Sequence, residues 1–234
     1  MEPDNVQLGA LTRKELKEAI SSGRIQGVIV PLGSFEQHQD HLPLLHDTLS
    51  VTHIAEQVAL NFYPSVVVTP TVWASDSEHH MNVGGAITIR PGILIEMLYD
   101  IAHSLKRLGI GRGMILNGHG GNMQDRLEGF EPERMKRLIE GLGVKYVTYW
   151  STCPTSFYEA LLESDRSAGH AGEFETSFAR VAFPEYIREH AITYDSAKLA
   201  TVEKGQAIVK AVIEGVSSEV RTWLDEVPRS SLRS

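Results

Sequence analysis

Glu36, His38, His41, His46 and Asp47 fall within the stretch GSFEQHQDHLPLLHDTLS, residues 33–50. A solvated loop has no need of three imidazoles beside Leu42, Pro43, Leu44 and Leu45. Carboxylate plus imidazole is the donor mix that suits zinc, manganese or iron. Glu36 and His38 are two apart, so in an extended segment both side chains share a face. Asp47 stands where a helix begins, a place that tolerates a carboxylate and fixes its position. The plain alternative is a polar loop with surface histidines and Asp47 as N-cap. Two further stretches carry similar residues. NGHGGN (117–122) supplies His119 among glycines, and GHAGEFETS (169–177) supplies His170, Glu173 and Glu175. Placed on a helix, His170 and Glu173 are three apart and share a face.

These residues need elements to hold them. GVIVPLG (27–33) reads as a buried strand stopped by glycine, SVVVTPTVW (65–73) as the next strand, and GAITIRPG (85–92) as a third, ended by Pro91. RGMILNGHGG (112–121) is a strand running into glycines, and VKYVTYW (144–150) is another. Helical periodicity covers 48–62, with Asp47 or Thr48 as N-cap, then 93–108, a polar stretch near 131–142, and a long final helix with Val209, Val212, Val216, Val220 and Leu224 on one stripe. Strand–helix alternation predicts one α/β domain over 1–234, its largely parallel sheet covered on both faces, with a frayed tail at about 228–234. Functional groups in such sheets collect beyond the carboxyl ends of the strands. The Glu36–Asp47 stretch follows one strand and NGHGGN another.

Bulk properties exclude several classes. The net charge of −8 opposes a nucleic-acid or anionic-membrane partner. No run of apolar residues is long enough to span a bilayer, no signal peptide is evident, and the single cysteine, Cys153, cannot form an internal disulfide, so a cytoplasmic location is expected. The glycines of 117–122 lack the lysine and Ser/Thr of a phosphate-binding P-loop. Ser34 lacks the frame of a nucleophile elbow, and nothing near Cys153 lowers a thiol pKa. His53 and His103 fall within helices and read as structural, while one of His79 and His80 is a candidate to touch substrate.

PLGSFEQHQDHLPLLHDT, LNGHGGN and HAGEFETS, in that order, resemble the signatures of the creatininase (creatinine amidohydrolase) family over about residues 8–215. The resemblance implies a three-layer α/β/α fold, a homo-oligomer that is often a hexamer, and two divalent metal ions (Zn, Mn or Fe) hydrolysing a C–N bond of a small cyclic or formylated amide. Glu36, Asp47 and His119 would hold one ion, and His38, Asp47 and Glu173 the other. Asp47 would bridge them, with a hydroxide between as nucleophile. His170 would pass a proton to the leaving nitrogen, at an imidazole pKa near 6.5. Trp150, His80 and Arg166 would contact substrate, Trp150 matching a tryptophan of the family's substrate lid. Some positions depart from the pattern. Gln39 stands where the family prefers glycine and His46 where it prefers threonine. Gly121 replaces a metal-binding glutamate of creatininases proper, and Arg166 replaces a tryptophan, which argues against creatinine as substrate. The alternatives are a C–C hydrolase of a cyclic diketone such as a keto-inositol, and a non-catalytic metal-binding sensor or scaffold.

Overall fold

The computed structural model describes residues 5–123, 139–164 and 167–225. Four short strands form one parallel sheet in the order β2-β1-β3-β4: β1 Gly27–Leu32, β2 Val66–Val68, β3 Gly113–Asn117 and β4 Val144–Thr148. Val28 aligns with Gly113, and Gly113 with Val144, so the three longer strands run in register. The chain leaves β1 toward β2 on one side and then places β3 on the other. The reversal of winding therefore falls between β1 and β3, where open α/β sheets bind ligands.

Side chains alternate across the pleat and so build two cores. Ile29, Val66, Val68, Met114 and Leu116 face helices α2 (His46–Asn61), α5 (Glu173–Ala182) and α7 (Val202–Asp225). Val28, Val30, Leu32, Val67 and Ile115 face α1 (Arg13–Ser21) and α3 (Pro91–Arg107). The result is the three-layer α/β/α arrangement expected. Thr12 and Glu15 close a full capping box on α1, satisfying backbone donors that the helix itself leaves open. Phe174 and Phe178 on α5 are completely buried. Truncating either to alanine removes about 3–5 kcal/mol, which ties the register of α5 to the core. Two short helices, α4 (Thr155–Leu161) and α6 (Asp195–Lys198), complete the described elements. Among the described residues no helix is long and apolar enough to cross a membrane.

Several expectations need correction. Residues 85–92 do not form a strand. Gly84 and Gly85 take φ of 78° and 77°, and only isolated bridges, Phe35–Ile87 and Ser75–Thr88, follow. Strand β2 stops at Val68 because Pro70 has no N–H for a ladder, and Val72 rejoins β1 by a single bridge to Leu32. Pro91 begins α3 at its first position, where its missing N–H is harmless. Helix α2 starts two residues earlier than expected, with Leu45 as N-cap and no side-chain cap. Asp47 therefore sits inside the first turn with its carboxylate available elsewhere. The expected helix at 131–142 and the frayed tail lie largely or wholly outside the described residues.

Candidate metal centre

The carboxyl ends of β1, β3 and β4 open onto a cavity of about 380 Å³. Glu36 and His38 reach it from the segment after β1, Asp47 from the first turn of α2, His119 from the loop after β3, and Trp150 from the turn after β4. His79 and His80 enter from a 3-10 turn, Glu78–His80. His170 precedes α5 and Glu175 lies on it.

Backbone contacts aim the two central imidazoles. His38 Nδ1 lies 3.1 Å from the carbonyl oxygen of Glu36, and His119 Nε2 lies 2.7 Å from that of Asp76. A carbonyl only accepts, so each of those nitrogens carries its ring's proton. The other nitrogens then point at one residue: His38 Nε2 is 3.1 Å from Asp47 Oδ1, and His119 Nδ1 is 2.8 Å from Asp47 Oδ2. His38 Nε2 and Asp47 Oδ2 are both buried without a well-directed hydrogen bond. Glu175 Oε2 approaches His38 Nε2 at 3.6 Å, and Glu36 Oε2 approaches His119 Nε2 at 3.4 Å. Imidazoles pinned by a backbone acceptor, with their other nitrogens converging on carboxylates, are what a divalent cation site requires of its surroundings.

Electrostatics point the same way. Burial lowers the pKa of His38, but Asp47, Glu175 and Glu36 raise it to about 10. Burial pushes the Glu175 carboxyl up to about 8, with Asp47 and Glu36 adding to the rise against His38. Burial likewise raises Glu36. Asp47 is held well below the ordinary range because His38 and His119 outweigh its desolvation. Three buried acids therefore gather where, among the described residues, positive charge comes only from protons on imidazoles. Ligand atoms of His38, His46, Asp47 and Glu175 lie within 4.8 Å of one another, as do those of Glu36, His79 and His119. The donor set fits one or more divalent ions.

The structure brings Glu36, His38, Asp47, His119, His170, His80 and Trp150 to one cavity as expected. It does not bring Glu173. That carboxylate is fully buried elsewhere, bonded by Lys204 Nζ and accepting from the backbone N–H groups of Glu163 and Ser164 at 2.9 Å each. Glu175 takes the place predicted for it. The error arises at Ala171, whose φ of 51° breaks the chain direction, so that α5 begins only at Glu173 and His170 is not on it. Glycine 172 as N-cap followed by glutamate at the third helical position was the available signal, since that position reaches back to the N-terminus; here Glu175 Oε2 accepts from Ala171 N–H at 2.5 Å. His170 departs from expectation in another way. Burial, then His38 and His80, lower its pKa to about 3, so it rests as a neutral imidazole. Arg166 lies outside the described residues.

The loop after β3 is built for close approach. Asn117 accepts from His119 N–H at 3.2 Å and donates to the His119 carbonyl at 2.9 Å. A Cβ on Gly118 would lie 2.6 Å from Val51 Cβ, so only glycine lets the loop sit on α2. A Cβ on Gly121 would lie 2.2 Å from His119 Nε2 and 2.3 Å from the Asp76 oxygen. No side chain, and so no carboxylate, can stand there.

Residues 9–198 match the family model described as Creatininase: Creatinine amidohydrolase. The chain belongs to the creatininase family. It is 24% identical over 253 residues to creatinine amidohydrolase of Pseudomonas putida, covering 93% of this chain and 96% of that protein. It is 25% identical over 190 residues to 3-dehydro-scyllo-inosose hydrolase of Thermotoga maritima, covering 80% of this chain but 59% of that protein's length. The creatininase fold is seen directly in a crystal structure of creatinine amidohydrolase, with TM-score 0.80 and 22% identity over 95% of this chain and 99% of that one. A mutant creatininase of Zn-Zn type aligns at TM-score 0.78 and 21% identity, over 94% of this chain and 99% of that one.

Proposed function

We propose that this creatininase-family chain is a divalent-metal-dependent hydrolase that cleaves a C–N bond of a small cyclic or formylated amide. One observation carries the reading: two imidazoles, each held at one nitrogen by a backbone carbonyl, aim the other at opposite oxygens of a single buried aspartate. Asp47 would then lie between two ions, with Glu36 and His119 on one side and His38 and Glu175 on the other. When bound, such ions supply an activated water and polarise a carbonyl. The chain does the rest. The Glu36 and Asp76 carbonyls fix the outward ring protons of His38 and His119, so loading would have to displace only protons on the nitrogens that face the centre. Trp150 offers a flat apolar wall, and the cavity volume suits a small molecule. The creatinine amidohydrolase of Pseudomonas putida, aligned over almost the whole of both chains, supports amide chemistry.

A second reading has its own support. The same cavity is lined by His79, His80 and His170, and Gly121 carries no side chain. Such a lining suits an oxygen-rich ring, and the Thermotoga maritima relative is named as an inosose hydrolase. C–C cleavage of a cyclic diketone is therefore the alternative.

Elemental analysis of purified protein, followed by assay against lactams, N-formyl compounds and cyclic diketones with and without chelator, tests both. About two divalent ions per chain and turnover that chelation abolishes are expected. Turnover that survives complete metal removal would overturn the metal-dependent reading. Turnover of diketones alone would select the alternative.

A further inference from the structure

Gln37 sits between two histidines of the cavity wall, and its orientation is determined. Its side-chain oxygen accepts the backbone N–H of Gln39 at 3.0 Å. Reversing the amide would set its NH₂ against that N–H, donor against donor. Gln39 delivers the N–H from left-handed backbone at φ 56°, which few residues other than glycine adopt. The amide nitrogen of Gln37 is then 2.9 Å from His80 Nδ1 and 3.0 Å from His170 Nε2. An amide nitrogen only donates, so both of those ring nitrogens accept. Each ring must carry its proton on the other nitrogen, Nε2 of His80 and Nδ1 of His170. Those two face a single point, lying 3.5 Å and 3.7 Å from Glu36 Oε1. The rings stack with centroids 4.6 Å apart and planes at 23°, so neither turns without the other. His170 is about one-third exposed and the pair borders open cavity.

We propose that Gln37 is a positioning residue that sets His80 and His170 as a convergent pair of N–H donors, and that this pair binds an oxygen of the substrate beside Glu36. The ligand chemistry is an acceptor oxygen, either a carboxylate or a carbonyl gathering negative charge. A ligand oxygen there would give both donors a closer acceptor than Glu36 Oε1, which they meet only at 3.5 Å and 3.7 Å, and a ligand lacking it would forgo that gain. The proposal deepens the hydrolase reading and rests on it for the identity of the cavity as a substrate site. The tautomers themselves depend on the Gln37 contacts alone.

Long-range proton–nitrogen spectra of the zinc-loaded protein with labelled histidine read the tautomers directly. Wild type is expected to show His80 protonated at Nε2 and His170 at Nδ1. Gln37→Met keeps the length of the side chain but removes both donors. It should give mixed tautomers and weaken acetate, used as the oxygen probe, by about tenfold or more at unchanged metal content. Gln37→Glu should turn both rings into donors toward residue 37, move their protons away from the cavity, and weaken acetate further. A wild-type proton on His170 Nε2 or on His80 Nδ1 overturns the assignment without any variant. Unchanged acetate affinity in Gln37→Met overturns the oxygen-binding role. If wild type shows the stated tautomers yet binds no metal, the hydrolase reading fails and the donor pair stands.

Discussion

Glu173 and Glu175 are two residues apart on one helix and have opposite fates. At 3.6 residues per turn they point about 200° apart. Glu173 turns toward α7, where Lys204 meets it together with two backbone N–H groups and the Ser164 hydroxyl. Glu175 turns toward the cavity, where it accepts from Ala171 N–H and otherwise finds His38, Asp47 and Glu36. Burial raises the pKa of both carboxyls. For Glu173 the Lys204 ammonium and the surrounding donors overcome it, so its pKa ends below the ordinary value. For Glu175 further carboxylates add to it. One acid has a lysine as its partner; the other, among the described residues, has only imidazoles for counter-charge. That difference separates an anchor from a ligand more sharply than burial does.

The largest effect that would break this contrast is on turnover. Glu175→Gln should lose bound metal by elemental analysis and lower kcat/KM by on the order of 10³, the rate equivalent of several kcal/mol of cation-derived stabilisation. Glu173→Gln should leave metal content and turnover per metal unchanged. It should instead unfold earlier in a thermal melt, because Lys204 loses its buried partner. A fully buried pair loses about 3–5 kcal/mol this way. Lys204 stays 15% exposed and keeps Glu163, so about 2–3 kcal/mol is expected, a fall of roughly 4–12 °C for a chain of this size. Metal loss in Glu173→Gln with none in Glu175→Gln would reverse the assignment.

The smallest effect is in pH dependence, and its sign differs between the two acids. Glu175 and His38 have folded pKa values raised to about 8 and about 10. The stability they contribute to metal-free protein is therefore complete below their unfolded values, about 4.3 and 6.5, and is lost as pH rises through 8 and 10. Glu173 has a lowered pKa, so its contribution is present above the unfolded value and is lost as pH falls through the folded one. Denaturant titrations of metal-free protein should show the loss near pH 8 removed in Glu175→Gln, with the His38 loss at higher pH remaining, and the acid loss diminished in Glu173→Gln. At pH 7 both Glu175 and His38 hold protons that loading must displace. Calorimetry in buffers of different ionisation enthalpy should thus detect about one to two protons released per chain on zinc binding.

Much of the site was legible because it lies in sequence-local motifs at strand ends. Glu36, His38 and His119 follow β1 and β3 directly, so periodicity alone places them at the carboxyl edge of the sheet. The sheet itself was legible from β-branched runs at 27–33 and 144–150. What failed was helical phase. Whether Glu173 or Glu175 faces the cavity depends on where α5 begins, and that is decided by the left-handed backbone at Ala171, which no apolar repeat reveals. The stretch 85–92 failed for a related reason: it alternates like a strand, but Gly84 and Gly85 turn the chain before it can pair. Gln37 was invisible because its partners, His80 and His170, lie 43 and 133 residues away.

The close approach at Gly121 limits what one substitution can add to the candidate ligand set. Creatininases proper carry a glutamate at this place, by the resemblance already drawn. Here any side chain would strike the carbonyl that holds His119 in its tautomer. An acid placed there by substitution alone would displace His119 before its own carboxylate could serve as a donor. The position is thus asymmetric to change: it accommodates the absence of a side chain as it stands, but gains one only if the Asp76 turn moves with it.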